Sequence, residues 1–176
     1  SRDSYSRLEA SAKDAVKKVL LAKGTARGSE QLPGFIRNKI AQVIVSIASI
    51  EYPKEWPSFF QDVLGSLNES PSAIDCYCRI LVSVHEDIIS LEVPRSSEEA
   101  KQSMEFKDAM RDNALEQICS SWYQILSMFK DSDRAIVANL LRAVERYVHW
   151  IDIGLVANDQ FMPLLFHVLN TFDEDS

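Results

Sequence analysis

Residues 34–51 read GFIRNKIAQVIVSIASIE. The run is rich in β-branched residues, which on propensity alone favours a strand. Its apolar positions say otherwise. Ile36, Ile40, Val43, Ile44, Ile47 and Ile50 recur at spacings of three and four, the repeat of one helical face, where a strand would alternate every second residue. The stretch is also longer than an ordinary strand of roughly 3–10 residues. Pro53 closes it, because a proline disfavours helical backbone in the residue before it. The pattern therefore predicts a helix over 34–51.

Outward from this helix the same period recurs. A helix is expected over about 4–23, with Leu8, Ala12, Val16, Val19 and Leu20 on one face, then a polar, glycine-bearing loop over 24–34. A third helix is expected over about 56–68, carrying Trp56, Phe59, Phe60, Val63, Leu64 and Leu67, with Pro57 in its first turn, where a missing N–H costs nothing. A fourth, over about 71–91, opens on Pro71 and presents Ile74, Tyr77, Ile80, Leu81, Val84, Ile88 and Leu91. After a polar loop around Pro94 a long helix, straight or bent, covers about 98–129, burying Leu115, Ile118, Cys119, Trp122, Ile125, Leu126 and Phe129 in its later half. A sixth covers about 132–150, capped by Ser132 or Asp133, with Ile136, Val137, Leu140, Leu141, Val144, Val148 and Ile151 inward. A seventh covers about 159–172, with Pro163 in its first turn. No glycine occurs from Ser66 to Ile153, a stretch in which a β-rich chain would need turn glycines.

Paired helices of this kind cannot bury their stripes alone and need stacking. The expectation is an all-α class: an α-solenoid of antiparallel HEAT-type pairs over about 4–51, 56–91 and 98–150, plus the first helix of a next repeat at 159–172. Residues 1–176 then form one segment of about three and a half repeats. The opening at Ser1 and the acidic ending Asp173-Glu174-Asp175-Ser176 read as a piece of something longer.

Composition narrows the function. Hydrophobic residues make up 46% of the chain, enough for a sizeable core, and the net charge is −7. A free-standing nucleic-acid binder usually shows a basic domain, so RNA contact would have to come from a local basic stripe. No apolar run approaches the roughly 18 residues of a membrane span, and no signal peptide is visible. Cys76 and Cys78 are separated by one residue, too few for a usual zinc pair, and point about 200° apart on a helix. With Cys119 they read as buried thiols of a reducing compartment. His85-Glu86-Asp87 diverge on one helix, His149 and His167 have no neighbouring nucleophile in sequence, and Arg27-Gly28-Ser29 lacks phosphate-loop spacing. No catalytic residue, metal site or cofactor is expected, and no small-molecule substrate.

Two segments carry a family resemblance. Phe35-Ile36-Arg37-Asn38-Lys39-Ile40-Ala41-Gln42, then Glu51-Tyr52-Pro53, Trp56-Pro57 and Phe59-Phe60, resemble the exportin-1-like region of the importin-β superfamily. There, one helix ends at an aromatic-proline pair and a Trp-Pro-x-Phe helix begins; Trp56 is expected to be buried at that corner. Ser121-Trp122-Tyr123-Gln124-Ile125-Leu126, Tyr147-Val148-His149-Trp150-Ile151-Asp152, Leu155-Val156-Ala157-Asn158-Asp159 and Phe161 resemble the branch that exports transfer RNA. The stretch Ser96 to Gln117 fits that branch too, and the likeness spans about 33–171. A sister branch that carries microRNA precursors shares Trp150-Ile151-Asp152 more loosely.

The resemblance implies a non-catalytic HEAT-repeat receptor that binds Ran-GTP and mature tRNA together, meets the FG-nucleoporins of the nuclear pore, and shuttles between nucleus and cytoplasm. In this superfamily the second helix of each pair lines the binding face. That gives Asn38, Gln42 and Ser49 on the second helix, and Arg79, Ser83, Glu86, Asp87 and Ser90 on the fourth, as candidates for Ran. Asn139, Arg142, Arg146 and His149 on the sixth are candidates for RNA phosphate, since Arg142 and Arg146 lie one turn apart. Each is set against an ordinary solvated face, and the arginines against pairing with Glu145 or with acids on the fifth helix. Trp56, Trp122 and Trp150 read as core or corner packing rather than base-stacking platforms. A pure protein–protein scaffold of the same solenoid form, or an exportin with another RNA or protein cargo, is the competing reading.

Overall fold

The computed structural model describes residues 2–173; Ser1 and the acidic end at 174–176 lie outside them. The described residues are all-α, with more than half in helix and no strand. The helices are α1 (Arg2–Ser6), α2 (Ala10–Thr25), α3 (Gly34–Glu51), α4 (Phe59–Gly65), α5 (Pro71–Val84), α6 (Ser97–Asn113), α7 (Leu115–Phe129), α8 (Arg134–Tyr147) and α9 (Phe161–Asp173). Short 3₁₀ turns sit at Ser29–Gln31 and Ile153–Leu155, and a π-helical segment at His85–Ile89 continues α5. By its contacts the chain divides into two units, Ser1–Ala109 and Met110–Ser176.

In the first unit α3 matches its expected bounds, but its buried face is turned. Ala41, Ile44, Val45, Ile47, Ala48 and Glu51 face inward, while Val43 and Ile50, expected in the core, are 36% and 39% exposed. The reason is that α2 and α5 both pack on α3, so the buried arc must serve two neighbours. Lys13 and Lys17, in the first half of α2, reach Glu51 at the end of α3, while Gly24 near the end of α2 lies against Ile40, so α2 and α3 run antiparallel. Arg37 and Asn38 near the start of α3 bond Asp75 and Arg79 of α5, and Ser49 near the end of α3 lines a hollow with Asp87, past the end of α5, so α3 and α5 lie side by side in the same direction. Gly24 ends α2 against Cys76 of α5; a Cβ there would sit 2.6 Å from the Cys76 sulfur.

The first expected helix is broken. Arg7–Glu9 separate α1 from α2, Leu8 and Val19 are exposed, and a lysine, Lys17, is the side chain that α2 buries near its middle. Past α3 the chain turns through the aromatic-proline corner, with a cis Tyr52–Pro53 peptide. The helix expected from 56 starts only at Phe59, so Pro57 precedes it; Trp56 N and Glu55 N both bond the Glu51 carbonyl, closing a turn before α4 begins. Trp56 is buried as expected, packing on Phe59 at 4.9 Å. Its Nε1 donates to Asp62 Oδ2 (2.8 Å), which ties the indole to the first turn of α4. Tyr52 meets Phe60 at 5.2 Å and Phe106 at 4.9 Å, both edge-on, a geometry that aromatic quadrupoles favour. α5 starts as read, at Pro71, with Ser70 Oγ accepting from Ala73 N.

The long fifth helix is two, α6 and α7; the boundary between the units falls within α6, and α7 to α9 belong to the second unit. Ala114 leaves helical geometry (φ −134°, ψ −31°) and divides α6 from α7. α7 buries Leu115, Ile118, Cys119, Trp122, Ile125 and Leu126 as expected, and packs on α8 and α9. Asp133 is the cap of α8, its Oδ1 accepting from Ala135 N and Ile136 N, both at 3.1 Å. α8 stops at Tyr147, three residues short of the expected end, and Val148–Ile151 form turns. α9 begins two residues later than expected, because Asn158 Oδ1 caps it by accepting from Phe161 N (2.9 Å).

Candidate partner-binding faces

The face of the first unit that α3 and α5 share is built from the register between them. Asp75 accepts from Arg37 Nη1 (2.9 Å) and, bidentately, from Arg79 Nε (2.8 Å) and Nη2 (3.2 Å). Arg79 Nη1 also donates to Asn38 Oδ1. Asn38 and Arg79 are thus brought together, and their work is to hold the two helices in step. Ser83 is buried, not on a free face as expected; it sits on the packed side of α5 and its Oγ donates to Asp87 Oδ2 (2.8 Å). Gln42 is exposed and Ser49 half-buried. Together with Asp87 they line one hollow of about 400 Å³ between α3 and the π segment. Glu86 is exposed beside it, and Ser90 is half-buried at the segment's end.

The π segment is what aims Asp87. Ser90 N bonds the carbonyl of His85, five residues back, instead of four. The widened turn frees carbonyls that an α-helix end would leave to water. Side chains from the following stretch take them: Arg95 Nη1 donates to Ser90 O (2.6 Å) and Nη2 to Asp87 O (3.0 Å), and Ser103 Oγ donates to Ile88 O (2.5 Å). A second hollow, of about 140 Å³, adjoins the first and is walled by Val93, Pro94, Arg95 and Glu99.

Behind this face lies a charge cluster that the sequence reading did not find. Glu51 is 1% exposed. It accepts from Lys17 Nζ (2.9 Å) and Tyr5 Oη (3.0 Å) and pairs with Lys13 Nζ at 3.6 Å. Lys17 also pairs with Asp14 at 2.9 Å and lies 5.2 Å from the Trp56 ring centre; Lys13 lies 5.5 Å from that of Tyr5. Burial, then the hydrogen bond to Glu51, raises the Tyr5 hydroxyl well above its ordinary 10. Burial works to lower the Lys17 pKa, but the bonds to Asp14 and Glu51 prevail and raise it. The signal in the sequence was that Glu51 falls seven residues after Ile44 on the buried face, with Lys13 and Lys17 one turn apart on the facing helix.

In the second unit, α8 gathers the basic candidates. Arg142 is exposed and donates Nη1 to Asn139 Oδ1 (3.1 Å). Arg146 Nη1 reaches the Arg142 carbonyl at 3.4 Å and Glu145 Oε2 at 3.7 Å. Asn139, Arg142 and Arg146 share one strip; His149 lies beyond the helix end, exposed, on the turn. Trp122 is fully buried and packs edge-on against Tyr147 at 5.7 Å, a core role. Trp150 is half-buried, stacked between Tyr147 at 5.6 Å and the Arg111 guanidinium at 5.9 Å.

All three cysteines are free and buried. Burial pushes the Cys76 and Cys119 thiols up to about 12 and Cys78 higher still, so at neutral pH they are packing groups rather than nucleophiles.

Residues 33–175 match the family described as exportin 1-like protein. Exportin-T of Arabidopsis thaliana is 44% identical over 137 residues, which is 78% of this chain and 14% of that protein. Exportin-T of Homo sapiens is 38% identical over 131 residues, 74% of this chain and 14% of its own length. Exportin-T of Aspergillus fumigatus is 41% identical over 145 residues, again 14% of its length. The chain therefore spans 14% of the length of these relatives. A match over 33–175, with relatives of one name from a plant, an animal and a fungus, makes the chain a member of the exportin 1-like family of nuclear export receptors.

Proposed function

We propose that this chain is a segment of a receptor that binds Ran-GTP and mature tRNA cooperatively and carries tRNA from nucleus to cytoplasm through the FG-nucleoporins of the pore. The observation that carries the reading is the identity of 38–44% to exportin-T relatives across some three quarters of the chain. Residues 4–51, 56–91 and 98–150 are successive HEAT-type pairs in this reading, and 159–172 opens the next, in one α-solenoid. No catalytic step and no cofactor is assigned to it. A scaffold without RNA, or an exportin of another cargo, has no observation of its own in its favour.

Within that reading Ran-GTP meets the face formed by α3, α5 and the π segment. Gln42, Ser49, Glu86 and Asp87 supply its surface, while Asn38, Arg79 and Ser83 hold it in shape. A partly acidic rim suits a basic protein surface. The α8 strip of Asn139, Arg142 and Arg146, with His149 beyond it, holds RNA phosphate. Each phosphate contact there releases counterions, so binding weakens as salt rises.

The test reverses charge on each face separately, in the protein as it occurs in the cell. Arg142→Glu with Arg146→Glu should weaken tRNA binding and flatten its salt dependence, with Ran binding measured in the absence of tRNA little changed. Glu86→Lys with Asp87→Lys should slow Ran association, chiefly through lost steering. An arginine pair that is neutral for tRNA at low salt would remove α8 from the RNA site.

A further inference from the structure

The short helix α1 docks on the first unit through Tyr5. From Ser4 to Ser11 every side chain is exposed except that of Tyr5, which is half-buried. The Lys13 ammonium lies 5.5 Å from its ring centre, and its hydroxyl donates to Glu51 Oε1 at 3.0 Å. Glu51 is buried at the end of α3 and pairs with Lys13 and Lys17. Both lysines are shared, Lys13 with Glu55 at 3.3 Å and Lys17 with Asp14 at 2.9 Å. The cluster thus sets three carboxylates against two ammonium groups, and an excess of negative charge surrounds the Tyr5 oxygen. Burial and the Glu51 bond hold that hydroxyl neutral, and the charges of Glu51, Asp14 and Glu55 all act in the same sense.

We propose that Tyr5 is a phosphorylation site and that α1 is a strap which the modification releases. Tyr5 Oη attacks the γ-phosphorus of ATP held by a protein tyrosine kinase. The Oη–P bond forms, the bond from that phosphorus to the β,γ-bridging oxygen breaks, ADP leaves, and the phenolic proton passes to the kinase's catalytic carboxylate. Local opening of so short a helix, flanked by exposed residues, presents the tyrosine. The modified strap does not close again. The phosphate carries about 1.5–2 negative charges at neutral pH, and beside carboxylates it is repelled. The 3.0 Å between Oη and Glu51 leaves no space for a phosphoryl group. Lys13 and Lys17 could neutralise it only by abandoning Glu51, which would strand a buried carboxylate. With α1 out, Glu51 and Lys13 lose their cover, and the start of α2 is left free.

The test treats the protein as it occurs in the cell with a broad-specificity tyrosine kinase and ATP, then with trypsin under native conditions. Mass spectrometry reads phosphate on Tyr5 and the rate of cleavage after Arg7, each rate normalised to the same bond in the free peptide 1–12. Tyr5→Phe loses only a hydrogen bond to a charged acceptor and should speed the cleavage roughly tenfold. The phosphorylated protein should be cut faster still. Asp14→Asn with Glu55→Gln alters two exposed side chains and removes two of the three repelling carboxylates, so the excess of the phosphorylated protein over Tyr5→Phe should shrink. A kinase that modifies the free peptide and leaves Tyr5 of the protein unmodified would overturn the site. A phosphorylated protein cut no faster than Tyr5→Phe would overturn the ejection of α1, and an undiminished excess in the Asp14→Asn, Glu55→Gln protein would overturn its electrostatic cause.

Discussion

Gly24→Ala sets two opposed effects against each other. Gly24 lies in the last turn of α2, and an alanine in a helix is worth about 0.5–1 kcal/mol over glycine on backbone grounds alone. Against that, the added methyl would stand 2.6 Å from Cys76 Sγ and 3.4 Å from Ile40 Cγ2. The thiol is buried, so the clash is relieved only by forcing Cys76 into another rotamer within packed surroundings or by lifting α2 from α5. Overpacking of this kind costs about 1–3 kcal/mol. The steric term is the larger, so the variant should be destabilised by about 1–2 kcal/mol. The assay is urea unfolding of Gly24→Ala, Cys76→Ala and the double variant, read as a double-mutant cycle. Because Cys76→Ala removes the clashing atom, the double variant should be more stable than the sum of the singles by about 1 kcal/mol. A Gly24→Ala protein more stable than wild type, or strict additivity, would refute the close approach of α2 to α5.

Two further outcomes follow from the Glu51 cluster. Glu51→Ala strands Lys17 in a buried place and removes the anchor of Tyr5, so unfolding free energy should fall by about 3–5 kcal/mol, measured by denaturant titration; a loss below 1 kcal/mol would mean that the carboxylate is solvated. Stability should also decline at alkaline pH. The Lys17 pKa is raised in the fold, as is that of Tyr5, so both contributions are present below the unfolded values near 10 and are lost as pH rises through the folded ones. The denaturation midpoint should therefore drop above about pH 10, and the drop should shrink in a Tyr5→Phe, Lys17→Met protein; an equal drop in both would place the effect elsewhere.

Where local chemistry alone set an element, the sequence was enough. Gly34 and Pro53 bound α3, Pro71 with Ser70 opens α5, and Asp133 caps α8, each through backbone rules that act within a few residues. Elements shaped by distant partners were not legible. The α1–α2 break and the inward turn of Lys17 are set by Glu51, more than thirty residues away in the chain. The outward turn of Val43 and Ile50 follows from α5 sharing the face of α3. Of the site residues, Gln42, Ser49 and Asp87 were placed together by helix-face reading. Ser83 was misplaced because α5 is buried around most of its circumference, so the polar side that helix-face reading takes as free is packed, and the walls contributed by Val93 and Glu99 come from a loop and a helix start that periodicity does not position.

The most direct measurement of the central claim is the affinity for mature tRNA, taken by titration without Ran, with Ran-GDP and with Ran-GTP, in the protein as it occurs in the cell. Cooperative export requires a coupling free energy between the two ligands, and coupling of typical size is about 1–3 kcal/mol, or roughly 5–150-fold in affinity. The account predicts tRNA affinity raised within that range by Ran-GTP and unchanged by Ran-GDP, with the reciprocal gain in Ran-GTP affinity when tRNA is present. Equal tRNA affinity in all three conditions would contradict it.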